Sequence, residues 1–150
     1  MAETGGKRIM GLDVGSKRIG IALSDPTGVL ALPLKTIAGV ESEDSASILL
    51  EIIQREEVGL IVIGLPRSLS GGIGPQALKV MEFVEKIKSM AGLPVKLQDE
   101  RYSTVAVENM MRQTGTKKKK RDERRDAEAA AYILQNYMES RRAFGDENNG

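Results

Sequence analysis

The chain has 150 residues and a formal net charge of +1, with 22 Lys and Arg against 21 Asp and Glu. It contains neither cysteine nor histidine, which excludes disulfides, thiolate catalysis, Ser-His triads and ordinary zinc sites. Any bound metal must therefore have oxygen ligands, which favours Mg²⁺ or Mn²⁺, and any nucleic-acid site must come from local clustering of basic residues.

The length predicts one folded domain. We expect a disordered tail over residues 1–6, the domain over residues 7–140, and a flexible tail over residues 141–150. The N-terminal sequence MAETGGKR has no apolar run, and the apolar stretch near residues 60–65 is far too short to cross a bilayer. The sequence predicts a soluble, cytoplasmic protein with no membrane partner.

The first predicted unit is a β-hairpin over residues 7–25, in which strand-forming residues flank a tight turn at Gly15-Ser16. A turn over residues 25–28 leads to a third strand over residues 29–37. We expect this strand at a sheet edge, because Pro33 cannot donate a ladder hydrogen bond. Since short turns join these three strands, they should run antiparallel.

Two further strands alternate with helices in the rest of the chain. Strands joined through helices run parallel, so the sequence predicts an α/β fold. Its five-stranded mixed sheet would have three antiparallel and then two parallel strands, with helices on both faces. The expected strands cover residues 59–64 and 95–98. The first expected helix covers residues 42–57, with Ser42 as N-cap. A loop over residues 66–74 leads to the second helix, which ends at about residue 90. The last two expected helices cover residues 103–113 and 122–140.

This topology brings three carboxylates towards one edge of the sheet. Asp13 interrupts an apolar strand, Glu100 follows the last strand, and Asp126 begins the last helix. Small alanines next to Asp126 should let that helix lie close to the sheet. Three nearby carboxylates repel one another unless a divalent cation binds them, so we predict an acidic metal-binding cluster.

Two of these carboxylates also have a purely structural explanation. Asp13 could pair with Lys17 or Arg18 at the strand end, because a charged group beside a core needs a partner. Asp126 could simply be a favourable charge at a helix N-terminus, worth about 0.3–1 kcal/mol. Neither alternative accounts for the meeting of all three at one edge.

Four motifs carry a family resemblance: GLDVGSKRIGIALSD, VIGLPRSLSGGIGPQA, LQDERYST and RRDAEAAAYILQNYM. Together they closely resemble the YqgF family over about residues 7–140. Its members are ribonuclease-H-like proteins described as candidate pre-16S rRNA nucleases or Holliday junction resolvase-like proteins. The resemblance implies a ribonuclease-H-like fold and a metal-dependent nuclease that matures the 5′ end of 16S ribosomal RNA.

Carried over by motif, the acidic set is Asp13, Glu100 and Asp126. Strand alternation points Asp99 away from Glu100, so only one of the two should face the metal. In a two-metal mechanism, Asp13 would bridge both ions, and the other two carboxylates would each hold one side. Tyr102 stands where many members carry Leu, which leaves the acidic set intact.

A basic run, TKKKKRDERRD, precedes and flanks Asp126. Cations at a helix N-terminus oppose the helix dipole, so the run is poorly placed for stability and well placed to attract phosphates; a solvated loop is the alternative. Aromatic residues make up only 3% of the chain, so base stacking should be minor. The predicted nucleic-acid contacts are Lys17, Arg18, Arg67, Lys117, Lys118, Lys119, Lys120, Arg121, Arg124 and Arg125.

A glycine-rich loop, LPRSLSGGIGPQA, opens the second helix. Its free backbone N–H groups could bind phosphate, but it is not a P-loop because no Gly-Lys-Ser/Thr follows. A structural role for the loop is equally compatible with the sequence. The residues that could shape the site, here and after the last strand, are Gly64, Pro66, Gly71, Gly72, Arg101 and Tyr102.

The leading prediction is a hydrolase that cuts phosphodiester bonds in precursor ribosomal RNA, acting as a monomer or weak homodimer and in possible association with ribosomal particles. One alternative is a Holliday junction resolvase-like DNA endonuclease, for which a tight dimer would be expected. Another is a nucleic-acid-binding protein without catalysis. An actin-like ATPase or sugar-kinase half is a further alternative, but 150 residues leave no room for its second domain.

Overall fold

A computed structural model describes residues 7–65, 75–99 and 118–148 of the protein. One five-stranded sheet in the order β3-β2-β1-β4-β5 forms its centre. β1 pairs antiparallel with β2, and β2 with β3, whereas β1–β4 and β4–β5 are parallel. The mixed sheet and the edge position of the third strand were both predicted, and both are confirmed. The strands are β1 Arg8–Val14, β2 Arg18–Ser24, β3 Ala31–Ala38, β4 Val58–Leu65 and β5 Val95–Asp99.

The described helices are α1 Ser45–Arg55, α2 Pro75–Ala91 and α3 Lys118–Asn148. Buried residues of α1 and α2 pack against one face of the sheet, and those of α3 pack against the other, as predicted. Within the described parts of the chain, no helix is both long and apolar enough to span a membrane. The predicted loop over residues 66–74 and the predicted helix over residues 103–113 lie outside the described residues.

Side-chain alternation along β1 separates the two cores. Met10, Leu12 and Val14 are buried in the core beneath α1 and α2. Gly11 faces α3, since a Cβ atom on it would lie 2.7 Å from the Cβ of Leu134. Because successive strand residues point to opposite faces, Asp13 is on the α3 side with Gly11, as the sequence pattern predicts.

The last helix is longer than predicted at both ends. The sequence predicted residues 122–140, whereas α3 runs from Lys118 to Asn148. The run of like charges was interpreted as a polar segment before the helix. Lys, Arg and Glu are nevertheless good helix formers, and Arg124 donates to Glu128 one turn later at 2.8 Å, which supports the helix. The basic run therefore forms its first turns.

The start of α1 also differs from the prediction. Its N-cap is Asp44, whose side chain makes no capping hydrogen bond, and not Ser42. The carbonyl of Ser42 instead accepts a bond from the hydroxyl of Ser45 at 2.9 Å. Ser42 therefore belongs to the turn that precedes the helix, where serine commonly forms such local bonds.

Gln135 ties α3 to the sheet edge. Its side-chain oxygen accepts a hydrogen bond from the Ala31 amide, and its side-chain nitrogen donates to the Val29 carbonyl, both at 2.9 Å. One amide side chain thus satisfies two backbone groups where β3 begins. This clamp fixes the helix across the strands and so helps to fix the position of residues earlier in α3.

Asp25 organises the turn between β2 and β3. Its carboxylate accepts hydrogen bonds from the amides of Leu30 and Val29, each at 2.8 Å, and from the amide and hydroxyl of Thr27. These bonds, that from Leu30 foremost, hold the pKa of Asp25 well below its usual range. The turn also uses Gly28, whose φ of 74° disfavours other residues.

The depressed pKa of Asp25 predicts a pH-dependent contribution to stability. The carboxylate is favoured only in the folded chain, so its contribution is full above the unfolded pKa of about 3.9 and is lost as pH falls through the lower folded value. Urea unfolding should show that Asp25→Asn destabilises the protein more at pH 5.5 than at pH 2.5. Asp44→Asn is the control, and an Asp25→Asn difference independent of pH would contradict this assignment.

Candidate active site

Asp13 lies between two glycines of the neighbouring strands. Its partner in β2 is Gly20 and its partner in β4 is Gly64, so neither adjacent strand places a side chain against it. Gly64 in turn pairs with Gln98 of β5. Because directly paired residues share a face, Gln98 lies on the same side of the sheet as Asp13. The result is a glycine-flanked carboxylate with an amide two strands away.

α3 crosses this region with almost no gap. A Cβ atom on Gly20 would lie 1.9 Å from the backbone oxygen of Asp126 and 2.9 Å from the nitrogen of Ala127. Residues paired across antiparallel strands have Cα atoms about 4.5–5.5 Å apart. The backbone of Asp126 therefore lies over the immediate neighbour of Asp13. The backbone of Asp126 is thus close to the strand position that pairs with Asp13.

The position of Asp126 weakens its structural explanation. Because α3 begins at Lys118, Asp126 lies more than two turns inside the helix and not at its N-terminus. The effect of the helix dipole falls off within the first turn. A favourable dipole interaction therefore does not explain a carboxylate at this position.

Arg18, at the start of β2, pairs with Asp126. Its Nε donates to Oδ2 of Asp126 at 2.5 Å. The Asp126 side chain is only 19% exposed, whereas that of Arg18 is 47% exposed. The sequence suggested Arg18 as a partner of Asp13 or as a phosphate contact. The structure shows that it neutralises the carboxylate on α3.

Backbone hydrogen bonds hold the β1–β2 turn that carries Lys17 and Arg18. The amide of Gly39 donates to the Lys17 carbonyl at 2.9 Å, and the amides of Val40 and Glu41 donate to Gly15 and Ser16. A Cβ atom on Gly39 would lie 2.4 Å from the Ser16 oxygen, so only glycine permits this contact. The sequence analysis did not identify Gly39, and a glycine just after a strand was the available signal.

Several predicted site residues lie outside the described parts of the chain. The most important is Glu100, the proposed third ligand, which directly follows β5. Among the described residues, no group of three acidic side chains is close enough to hold a metal. Of the three predicted ligands, only Asp13 and Asp126 are in the described segments. The others outside are Pro66, Arg67, Gly71, Gly72, Arg101, Tyr102 and Lys117.

The predicted basic residues within the described segments belong to the start of α3 and to the β1–β2 turn. Lys118, Lys119, Lys120 and Arg121 form the first turn of α3, which contains no acidic residue. Arg124 and Arg125 are exposed, as is Lys17 at the β1–β2 turn. Lys17, in the turn that follows β1, and Arg124 and Arg125, which directly precede Asp126, therefore place exposed positive charge near the two acidic residues.

The chemistry of the described residues fits a divalent cation. Asp13 and Asp126 offer carboxylate oxygens, which are the ligands that Mg²⁺ and Mn²⁺ prefer. Gly64 places no side chain beside Asp13, whereas the space above Gly20 is taken up by the backbone of α3. Mg²⁺ usually keeps several waters and needs few carboxylates. This pair of carboxylates could therefore hold an ion, with one further ligand expected from beyond β5.

Comparisons with known proteins agree on the family. A family model described as "RuvX: Holliday junction resolvase" matches residues 7–140. A relative from Roseiflexus sp. (strain RS-1), named "Putative pre-16S rRNA nuclease", is 44% identical over 135 residues, which are 90% of this chain and 96% of the relative. A relative of the same name from Desulforamulus reducens is 46% identical over 133 residues, covering 89% and 97%.

Solved structures with the same fold include two that contain DNA. One, described as "T. thermophilus RuvC in complex with Holliday junction substrate", matches with a TM-score of 0.58 and 15% identity over 92% of this chain and 97% of that one. The Fowlpox virus resolvase with its Holliday junction DNA matches with a TM-score of 0.55 and 14% identity over 89% and 97%. At these identities the likeness shows a shared resolvase fold.

Proposed function

Since this chain belongs to the RuvX family, we propose that it is a divalent-metal-dependent nuclease that processes the 5′ end of precursor 16S ribosomal RNA. The observation that supports this most is the contact of α3 with Gly20, which sets Asp126 beside Asp13. Asp13 is a charged residue in an otherwise apolar strand, and α3 brings a second carboxylate-bearing residue to the same face of the sheet. Two such residues can supply oxygen ligands to a divalent cation.

The proposed ligands have distinct positions. Asp13 is fixed by the ladder at the centre of the sheet, and Asp126 is fixed by the packing of α3. Glu100 is the proposed third ligand from the end of β5. When bound, the metal ions would supply Lewis acidity and an activated water for phosphodiester hydrolysis. The protein then needs only to hold these carboxylates near the carboxyl ends of the strands. No nucleophilic side chain is required, which is consistent with a chain that has neither Cys nor His.

Strand register supports Glu100 over Asp99 as the third ligand. Gln98 shares the Asp13 side of the sheet through its pairing with Gly64, and an extended chain returns to that side two residues later. We therefore expect Glu100→Gln to reduce cleavage far more than Asp99→Asn, by on the order of 10²-fold or more. Initial rates of both variants measure this, and the reverse ranking would place the third ligand at Asp99.

Two observations support RNA as the proposed substrate: the names of the relatives and the basic residues that precede Asp126 in the sequence. Phosphate contacts would come from the first turn of α3 and from Lys17. A four-way DNA junction is the second candidate, because the family model carries a resolvase description. A resolvase cuts two strands symmetrically and would need a two-fold dimer, so the oligomeric state bears on the choice.

A direct assay tests the proposed activity. Purified protein is incubated with precursor 16S RNA and, separately, with a four-way DNA junction, each with Mg²⁺, with Mn²⁺ and with EDTA. We expect metal-dependent cleavage of the RNA near the mature 5′ end and no paired cuts in the junction. Symmetric junction cleavage without RNA cleavage would favour the DNA endonuclease, and no cleavage of either would favour a binding protein.

The basic start of α3 gives a separate prediction about binding. If Lys117, Lys118, Lys119 and Lys120 contact phosphates, changing all four to Gln should flatten the plot of log affinity against log salt. The expected change is about 0.7 for each lost contact to a single strand, or roughly 3 in total. Stability should rise slightly, since each cation opposes the dipole by about 0.3–1 kcal/mol.

A matched variant controls for net charge. Lys35, Lys79, Lys86 and Lys88 are all exposed and lie on β3 and α2, so changing them to Gln removes the same charge elsewhere. Affinity is measured by fluorescence anisotropy across a salt series, and stability by a melting curve. Equal slopes for the two quadruple variants would mean that the run at the start of α3 is merely solvated.

A further inference from the structure

The ion pair between Arg18 and Asp126 occupies a proposed metal ligand. The guanidinium Nε donates to Oδ2 of Asp126 at 2.5 Å, and the carboxylate is only 19% exposed. A charge-assisted hydrogen bond in a poorly hydrated position is stronger than an ordinary surface pair. Arg18 therefore supplies the positive charge that the carboxylate needs in the absence of a metal.

A cation and the guanidinium cannot both bind this carboxylate without cost. Two positive charges a few ångströms apart repel, and the low exposure of Asp126 limits the screening of that repulsion by water. A divalent ion carries twice the charge of the guanidinium and binds carboxylate oxygens directly. Metal binding at Asp126 should therefore weaken or break its bond to Arg18.

The backbone of Arg18 need not move for its side chain to leave Asp126. Its backbone is fixed at the start of β2, where its carbonyl accepts a hydrogen bond from Gly15 at 3.0 Å and its residue pairs with Ala38. The side chain itself is half exposed at 47%. Rotation of an exposed side chain requires no rearrangement of the sheet, so release is compatible with a rigid site.

We propose that Arg18 holds the Asp126 carboxylate in the metal-free protein and is released to a substrate phosphate when a divalent cation binds that carboxylate. This inference rests on the proposed nuclease function and adds a role for one residue. The planar guanidinium suits bidentate phosphate binding. Metal and nucleic acid would then bind cooperatively, because each favours the released state of Arg18.

The first test measures metal binding without any substrate. Mn²⁺ is titrated calorimetrically into the wild-type protein, Arg18→Gln and Lys17→Gln. Because the competing guanidinium is gone, Arg18→Gln should bind Mn²⁺ about three- to tenfold more tightly than wild type, the range expected for one charge-assisted bond. Lys17→Gln loses the same charge from the same turn and should change the affinity less than twofold.

The second test measures RNA binding with and without a metal. Ca²⁺ replaces Mg²⁺ to limit cleavage, and anisotropy gives the affinity for a single-stranded RNA. Arg18→Gln should weaken binding severalfold and flatten the salt slope by about 0.7 when Ca²⁺ is present, with little effect in EDTA. Asp126→Asn should free Arg18 without a metal, so it should bind RNA more tightly than wild type in EDTA.

The outcomes separate this inference from the function on which it rests. Equal Mn²⁺ affinity for Arg18→Gln and Lys17→Gln, or a loss of affinity in Arg18→Gln, would overturn the role of Arg18 while leaving the metal site intact. No Mn²⁺ binding by the wild type would overturn the proposed function itself. If circular dichroism shows that Arg18→Gln is unfolded, Arg18→Lys is used instead, because it keeps the charge but cannot bind a phosphate with two parallel hydrogen bonds. RNA binding by Arg18→Lys that equals wild type in Ca²⁺ would reject the bidentate contact.

Discussion

Asp13→Asn is expected to abolish nuclease activity while leaving the fold intact. Asn has nearly the same shape as Asp, so the pairing of β1 with β2 and β4 should persist. It lacks the negative charge that would hold a cation in the proposed site. We expect a loss of roughly 10³-fold in cleavage rate, which corresponds to about 4 kcal/mol of transition-state stabilisation. Initial rates with saturating Mg²⁺ and a melting curve on the same sample measure both effects.

The control for this variant is Asp44→Asn, at the N-cap of α1. The Asp44 side chain makes no capping hydrogen bond and belongs to the helix layer on the other face of the sheet. It should cleave at the wild-type rate. If Asp44→Asn cleaves normally, the loss of one negative charge does not by itself explain a slow Asp13→Asn variant. A cleavage rate of Asp13→Asn within a few-fold of wild type would show that Asp13 is not catalytic.

Gly20→Ala is expected to have the largest effect on stability. The added Cβ atom would lie 1.9 Å from the backbone oxygen of Asp126, and neither the sheet nor the helix backbone can yield as a flexible side chain would. We expect a loss of about 3 kcal/mol or more in the free energy of unfolding. Cleavage should fall too, because the displaced helix carries Asp126 away from Asp13. Urea unfolding and initial rates measure the two effects.

Gly28→Ala separates crowding from the general cost of replacing glycine. Gly28 has a φ of 74° but nothing within 4 Å of an added Cβ atom, so we expect about 1–2 kcal/mol from backbone strain and full activity. If Gly20→Ala were as stable and active as wild type, α3 would not lie against β2 as closely as the site requires.

Much of the fold could be predicted because its signals are local. Alternation along β1 separated Met10 and Leu12 from Asp13, and the strand directions followed from which connections are tight turns and which contain helices. The motif resemblance to a family of candidate pre-16S rRNA nucleases is confirmed as well. These features depend on residues close together in the sequence or on short, ordered motifs.

Other features depend on contacts that no local pattern encodes. Arg18 and Asp126 are 108 residues apart, and their pairing depends on where α3 crosses β2. The start of α3 was placed too late because charge was weighed above the helix propensity of Lys and Arg. The role of Gly39 depends on the approach of two loops. Tertiary packing decides the Arg18–Asp126 pair and the role of Gly39, whereas the start of α3 was misplaced for a local reason.

Direct measurement of metal binding tests the central claim, that Asp13 and Asp126 together hold a divalent cation. Mn²⁺ is titrated into the wild-type protein, Asp13→Asn and Asp126→Asn, with Asp44→Asn as the control. We predict one or two bound ions in the wild type and the control, and affinity at least about tenfold weaker in each active-site variant. The same Mn²⁺ affinity in all four proteins would contradict the account.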